Sequence, residues 1–112
     1  MIIYHNPRCS KSRQALGLLK ENGEEPDVIE HLKKPLGQAE LEGLLKKLKV
    51  PAYDLLRVKE DEYSELGLPP DKPAEDILTA IALNPILLER PIVVKGRKAV
   101  IAQPPKLVED LL

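Results

Sequence analysis

The densest chemistry in the chain lies in one run of nine residues, His5-Asn6-Pro7-Arg8-Cys9-Ser10-Lys11-Ser12-Arg13. It holds a thiol, an imidazole, two hydroxyls and three cations. A thiol attacks as its thiolate, and an ordinary pKa near ~8.5 leaves only a small fraction ionised at neutral pH. Exposed N–H groups and the positive dipole end at a helix start favour the anion, and Arg8, Lys11, Arg13 or a protonated His5 add to that field. The same field attracts an oxyanion. The plainer alternative makes Cys9 a small buried hydrophobe, the common fate of an isolated cysteine. Its place among cations and capping residues favours a nucleophile. Ser10 and Ser12 either orient a substrate or cap the first helical turn. His5 is either a partner of Cys9 or a hydrogen-bonded structural histidine. His31 has no comparable setting and is expected to be structural or exposed.

Several other chemistries do not fit. A phosphatase loop of the form C-x-x-x-x-x-R needs arginine at position 15, where the chain has Ala15, and Arg13 comes two residues early. One Cys and two His without C-x-x-C or H-x-x-x-H spacing make no tetrahedral site, so no metal is expected. A lone cysteine cannot close an internal disulfide, so any second thiol in a cycle comes from outside the chain. With 17 basic against 18 acidic residues, no Trp and no Phe, neither nucleic acid nor an acidic membrane surface is an expected partner. No apolar run approaches a bilayer span and no secretion signal is evident, which suggests a cytoplasmic protein. The Lys46-Lys47-Leu48-Lys49 cluster sits among glutamates and reads as a solvated helix face.

Around the loop, Ile2-Ile3-Tyr4-His5 is β-prone and breaks at Asn6-Pro7. From Ser10 a helix is predicted, with Ala15, Leu16, Leu18 and Leu19 largely on one side and a stop at Asn22-Gly23. Pro26 to Glu30 reads as a second strand, which completes a βαβ unit with parallel pairing. Gly37 to Lys49 carries Leu41, Leu44, Leu45 and Leu48 at amphipathic helical spacing. Short helical pieces follow over Pro51 to Leu56 and Glu60 to Leu66, the latter stopped by Gly67 and Pro69-Pro70. Pro73 opens a helix bearing Ile77, Ala80 and Ile81 that ends at Asn84-Pro85, and a turn covers Ile86 to Glu89. Pro91 to Lys95 and Lys98 to Ala102, joined at Gly96-Arg97, form a hairpin, and Lys106 to Leu112 a closing helix packed on the sheet. The 112 residues therefore predict one α/β domain over 1–112, in the order βαβ, helices, ββα.

The stretches YHNPRCSKSR, LLR followed by ELGL, and NPILLERPIVV resemble, in order and over almost the whole chain, the glutaredoxin-linked arsenate reductases of the ArsC family, which also includes the Spx transcription regulators. The resemblance implies a thioredoxin-like fold with a helical insertion. It implies that Cys9 is the attacking cysteine, His5 the histidine that tunes it, and Ser12 the serine of its loop. Arg57 and Arg90 match two oxyanion-binding arginines and would otherwise read as surface ion pairs. Arg90-Pro91 matches the position of the thioredoxin-type cis-proline. A third family arginine is here Gln103, before Pro104. Glutamine donates a hydrogen bond but brings no charge, and Arg97 or Lys98 would have to replace the missing cation.

The function implied is arsenate reduction to arsenite through a covalent adduct on Cys9. There is no bound cofactor; glutathione is the co-substrate, and glutaredoxin resolves the mixed disulfide. Two alternatives stand beside it. Gln103 motivates a glutathione-dependent thiol-disulfide oxidoreductase acting on another substrate. A Spx-like regulator that binds RNA polymerase fits less well, because those proteins carry a C-x-x-C switch where this chain has Cys9 and Ser12.

Overall fold

The computed structural model describes residues 1–68 and 71–112. The chain divides into two compact units, Met1–Lys34 with Arg90–Leu112, and Pro35–Glu89. The first contains strands β1 (Ile2–His5), β2 (Asp27–Glu30), β3 (Ile92–Lys95) and β4 (Lys98–Ile101) with helix α1 (Ser10–Glu21). The sheet order is β2-β1-β3-β4. β1 pairs parallel with β2 and antiparallel with β3, and β4 runs antiparallel to β3. A βαβ unit followed by a ββ hairpin on this sheet order is the thioredoxin-like arrangement the sequence led us to expect.

Two periodicities meet in this unit. Along β1 every second residue is buried, so Ile3 and His5 share a face. Along α1 the buried residues are Ser12, Ala15 and Leu19, three and four positions apart. Ile3, Ala15 and Leu19, all without exposed surface, join Val93, Ala102, Val108 and Leu111 in one core. Burying a leucine such as Leu19 contributes about 1.5–3 kcal/mol, which fixes α1 on the sheet. Where α1 stops, Gly23 takes φ +80° and its N–H bonds Lys20 O, a left-handed closure that suits glycine. Gly96, at φ +62°, opens the two-residue turn between the paired Lys95 and Lys98.

The closing segment differs from expectation. Pro105–Leu111 is a 3-10 helix rather than an α-helix. Its two buried residues, Val108 and Leu111, lie three apart, which is one turn of a 3-10 helix and puts both on the core.

The second unit is helical, as a helical insertion requires. It contains α2 (Gln38–Leu48), a 3-10 turn at Ala52–Leu55, α3 (Asp61–Leu66), α4 (Ala74–Leu83) and a 3-10 turn at Pro85–Leu87. Pro69-Pro70, read as a stop after α3, lie outside the described residues. Leu41, Leu44 and Leu48 are buried as the spacing predicts, with Lys46, Lys47 and Lys49 exposed. The feature with most bearing on function is a short main-chain pairing. Arg57 N–H donates to Leu87 O and Glu89 N–H to Leu55 O, both at 2.7 Å. This sets Arg57 beside Glu89.

Candidate active site

The loop between β1 and α1 is a hydrogen-bonded turn with little freedom. Cys9 N–H donates to Asn6 O at 2.9 Å, and Arg8 N–H to Asn6 Oδ1 at 3.0 Å. Asparagine at the first turn position and Pro7 at the second are the residues such a turn selects, one for its side-chain acceptor and one for its fixed φ. Arg13 Nη1 donates to Pro7 O at 2.8 Å and ties the turn to the helix. Asn6, only 5% exposed, is a structural member of the site that carries no reactive group of its own. The Asn-Pro pair was its signal.

This turn delivers Cys9 to the N-cap of α1 with extended backbone, φ −90° and ψ 122°. The thiol makes no side-chain cap on the helix. The backbone N–H groups of Ser12 and Lys11, the positions an N-cap acceptor serves, favour its anion. The first turn of α1 holds no acidic residue to offset the dipole. Burial pushes the Cys9 thiol up, but the Ser12 N–H, the Arg90 guanidinium and the Lys11 N–H, with the Arg90 charge, outweigh it and hold the pKa below its ordinary value. Cys9 is half-buried and so open to a reactant.

Behind the thiol stands a buried polar pair. A 2.7 Å hydrogen bond joins His5 Nδ1 and Ser12 Oγ, which also accepts the Asn6 N–H at 3.1 Å. Ser12 has no exposed surface and His5 is 6% exposed. Ser12 is thus neither a helix cap nor a group facing solvent. Its backbone serves the sulfur and its side chain serves His5. Ser10, the other hydroxyl weighed for these tasks, is exposed at the start of α1. Burial lowers the His5 pKa, Glu30 opposes, and Arg13 and Lys20 lower it further. The net shift is downward, which favours the neutral ring. The field on Cys9 therefore draws little from a protonated His5. The charge comes instead from Arg90.

Arg90 is 7% exposed, which sets aside the surface-ion-pair reading. The Arg90–Pro91 peptide is cis, as is Gln103–Pro104. Gln103 Nε2 donates to Arg90 O at 2.6 Å. Arg97 and Lys98 do not replace the missing cation: both lie at the hairpin turn, a four-residue strand or about 13 Å from the Arg90 end. Arg8 and Lys11 are exposed beside the thiol. Arg57 belongs to the second unit, where Nε meets Glu60 Oε1 at 3.0 Å and Nη1 meets Glu89 Oε1 at 3.3 Å. Neither acid was read from the sequence, because the one from Glu89 depends on the pairing of segments 32 residues apart. His31 is fully buried, the structural of its two expected settings.

A cavity of about 230 Å³ opens on the β2 side of the loop, lined in part by His5, Pro7, Arg8, Glu30, Leu32 and Lys33. Among the described residues no three His, Cys, Asp or Glu side chains converge as a metal site. Among the same residues no helix is long and apolar enough to cross a membrane.

This arrangement stabilises a thiolate and places a buried guanidinium against it. The chain as a whole is similar to known proteins. The chain is 50% identical to YfgD of Escherichia coli K12, an uncharacterised protein, over 98% of this chain and 94% of that one. It is 46% identical to the arsenate reductase of Neisseria meningitidis serogroup A, over 98% and 96%. The solved arsenate reductase from Vibrio cholerae superposes with a TM-score of 0.95 at 39% identity, covering 99% of this chain and 96% of that one. The ArsC family pattern matches residues 4–111, from the strand that carries His5 to the last buried leucine, and the chain belongs to the ArsC family.

Proposed function

We propose that the protein is an arsenate reductase that uses Cys9 as nucleophile, glutathione as external reductant and glutaredoxin to regenerate the thiol. The observation that carries the reading is the lone cysteine at the α1 N-cap, its anion held by two backbone N–H groups and by Arg90. Relatives named arsenate reductase at 46% and 40% identity support the substrate.

In the first step the Cys9 thiolate attacks arsenic(V), forms an S–As bond and displaces an oxygen as water or hydroxide. Arg90 offsets the negative charge of the incoming oxyanion. Arg57 is the second oxyanion ligand of this proposal, as the resemblance of LLR and its surroundings to the family implies. Glutathione then attacks the Cys9 sulfur. The S–As electron pair goes to arsenic, which leaves as arsenite, while the two thiols become a mixed disulfide. A glutaredoxin thiolate takes the glutathionyl group and Cys9 returns as thiolate. The cycle oxidises two thiol equivalents per arsenic reduced. With one cysteine in the chain, both later thiols are external. Such a cycle belongs in a reducing compartment, and we assign the protein to the cytoplasm.

The cavity beside the loop suits the reductant. Arg8 and Lys33 complement two carboxylates and Glu30 an ammonium, the charges that glutathione carries.

The test is NADPH oxidation coupled through glutathione reductase, with arsenate, glutathione and glutaredoxin present. Wild type is expected to turn over and Cys9→Ser to be silent; sustained turnover by Cys9→Ser overturns the mechanism. The engagement of Gln103 with Arg90 favours one other reading, thiol-disulfide exchange on a different substrate. It predicts that wild-type Cys9 exchanges glutathione readily while arsenate gives no turnover.

A further inference from the structure

Gln103 stands where the family match leads one to expect a cation for the substrate, yet its amide is used within the protein. The register of β3 and β4 explains how. Ile92 faces Ile101, and continuing two places sets Arg90 opposite Gln103. Ala102 N–H still donates to Pro91 O at 2.9 Å, one place beyond the strands. There the main-chain pairing runs out of donors, because neither Pro91 nor Pro104 has an N–H. The Gln103 side chain supplies one, at 2.6 Å from Arg90 O. Only the amide nitrogen can donate to a carbonyl, so the chemistry fixes the orientation of the amide. Gln103 N–H in turn donates to Ile101 O at 2.9 Å, which holds the base of the side chain.

Arg90 reaches Cys9 through a long side chain with several rotatable bonds. A guanidinium on such a stem keeps one position only if its main chain is held and its surroundings are packed. Arg90 is 7% exposed, so packing is present. The hydrogen bond at its carbonyl supplies the other condition. We infer that Gln103 is a positioning residue: it anchors the Arg90 main chain so that the guanidinium stays on the Cys9 sulfur, and it does not act as a ligand of the oxyanion. The inference rests on Cys9 reacting as a thiolate, the first premise of the proposed function, but not on arsenate as substrate. The departure from the family arginine thus keeps a donor at the Arg90 carbonyl while leaving the oxyanion with one cation fewer.

The experiment follows Cys9 alkylation by iodoacetamide against pH on the whole protein, without arsenate. Burial lowers the His5 pKa, which moves its titration away from that of the thiol. In Gln103→Ala and Gln103→Glu, one lacking a donor and the other setting a carboxylate against the carbonyl, the midpoint is expected to rise by about 0.5–1 pH unit. Gln103→Arg, which keeps a donor and adds a positive charge, is expected not to raise the midpoint above that of wild type. An unchanged midpoint in a folded Gln103→Ala, with only the arsenate KM raised, makes Gln103 an oxyanion ligand and overturns the inference. An unchanged midpoint with only a lower Tm makes it structural and also overturns it. Should both loss variants fail to fold, the ¹⁵N side-chain resonance of Gln103 in wild type decides: it shifts with the Cys9 midpoint if the linkage exists, and a flat resonance overturns it. If arsenate gives no turnover in any form, the alkylation midpoints still decide the role of Gln103.

Discussion

The Ser12 hydroxyl lies 2.7 Å from His5 Nδ1, and both side chains are almost wholly removed from solvent. One residue thereby connects the two parts of the site, because the Ser12 backbone N–H also bonds the Cys9 thiolate. His5 is thus connected to the thiol through Ser12, by one hydrogen bond and one backbone donor.

Ser12→Ala removes the partner of His5 Nδ1 and of the Asn6 N–H in a buried setting. Leaving such groups unsatisfied costs about 1–3 kcal/mol each, and the expected loss of stability is about 2 kcal/mol. Urea unfolding measures it. The backbone donor to Cys9 is retained, so alkylation of Cys9 at pH 7 should fall far less than in Arg90→Ala.

The lowered Cys9 pKa sets the direction of the pH profile. The thiolate persists below the ordinary thiol range near ~8.5 and is lost as pH falls through the folded value. Alkylation rate should therefore reach its plateau at a lower pH than for a free thiol. Arg90→Ala removes a hydrogen bond and a charge from the anion and should move the midpoint upward by about one unit. A midpoint in Arg90→Ala equal to wild type contradicts the assignment of Arg90 as the neighbouring cation.

His5 gives a stability prediction of opposite origin. Its folded pKa is depressed mainly by burial, so the unfolded chain binds the proton more readily. Stability is full above about 6.5 and declines as pH falls through the folded value. The gap in Tm between pH 7.5 and pH 5.5 should narrow in His5→Gln; an equal gap rules out His5 as a source of acid sensitivity.

Arg57 is held by Glu60 and Glu89 in its own unit, with side-chain exposures of 24%, 25% and 19%. If it binds the oxyanion, Arg57→Ala loses a charge-assisted contact worth about 1.5–3 kcal/mol, a rise of about 10- to 100-fold in arsenate KM. Cys9 alkylation should be unchanged. Equal arsenate KM values leave Arg57 with only its two carboxylates to serve.

The cavity on the β2 side supplies a thiol-selective test. Lys33→Glu reverses a charge at a side chain that is 78% exposed, so folding should be little affected. The KM for glutathione is expected to rise several-fold while a neutral thiol such as 2-mercaptoethanol is used as before. A parallel loss with both thiols contradicts docking by charge.

Much of the fold was legible because periodicity is local. The leucines of α2, the β-prone run before Asn6-Pro7, and the Gly96 turn each announce their element within a few residues. The 3-10 geometry of Pro105–Leu111 was not, since a seven-residue apolar pattern fits either helix type and packing against the core selects one.

For the site, the sequence by itself determined the reactive group and its immediate field: a single cysteine after Asn-Pro, at the start of a helix, among cations. These follow from turn chemistry and chain adjacency. Only the tertiary structure decided which cation neighbours the sulfur, that burial lowers the His5 pKa, that Ser12 faces inward, and that Gln103 bonds the Arg90 carbonyl. Each of those depends on burial, or on strands brought together from distant parts of the chain. Desolvation and cross-strand hydrogen bonds exist only once the sheet has formed.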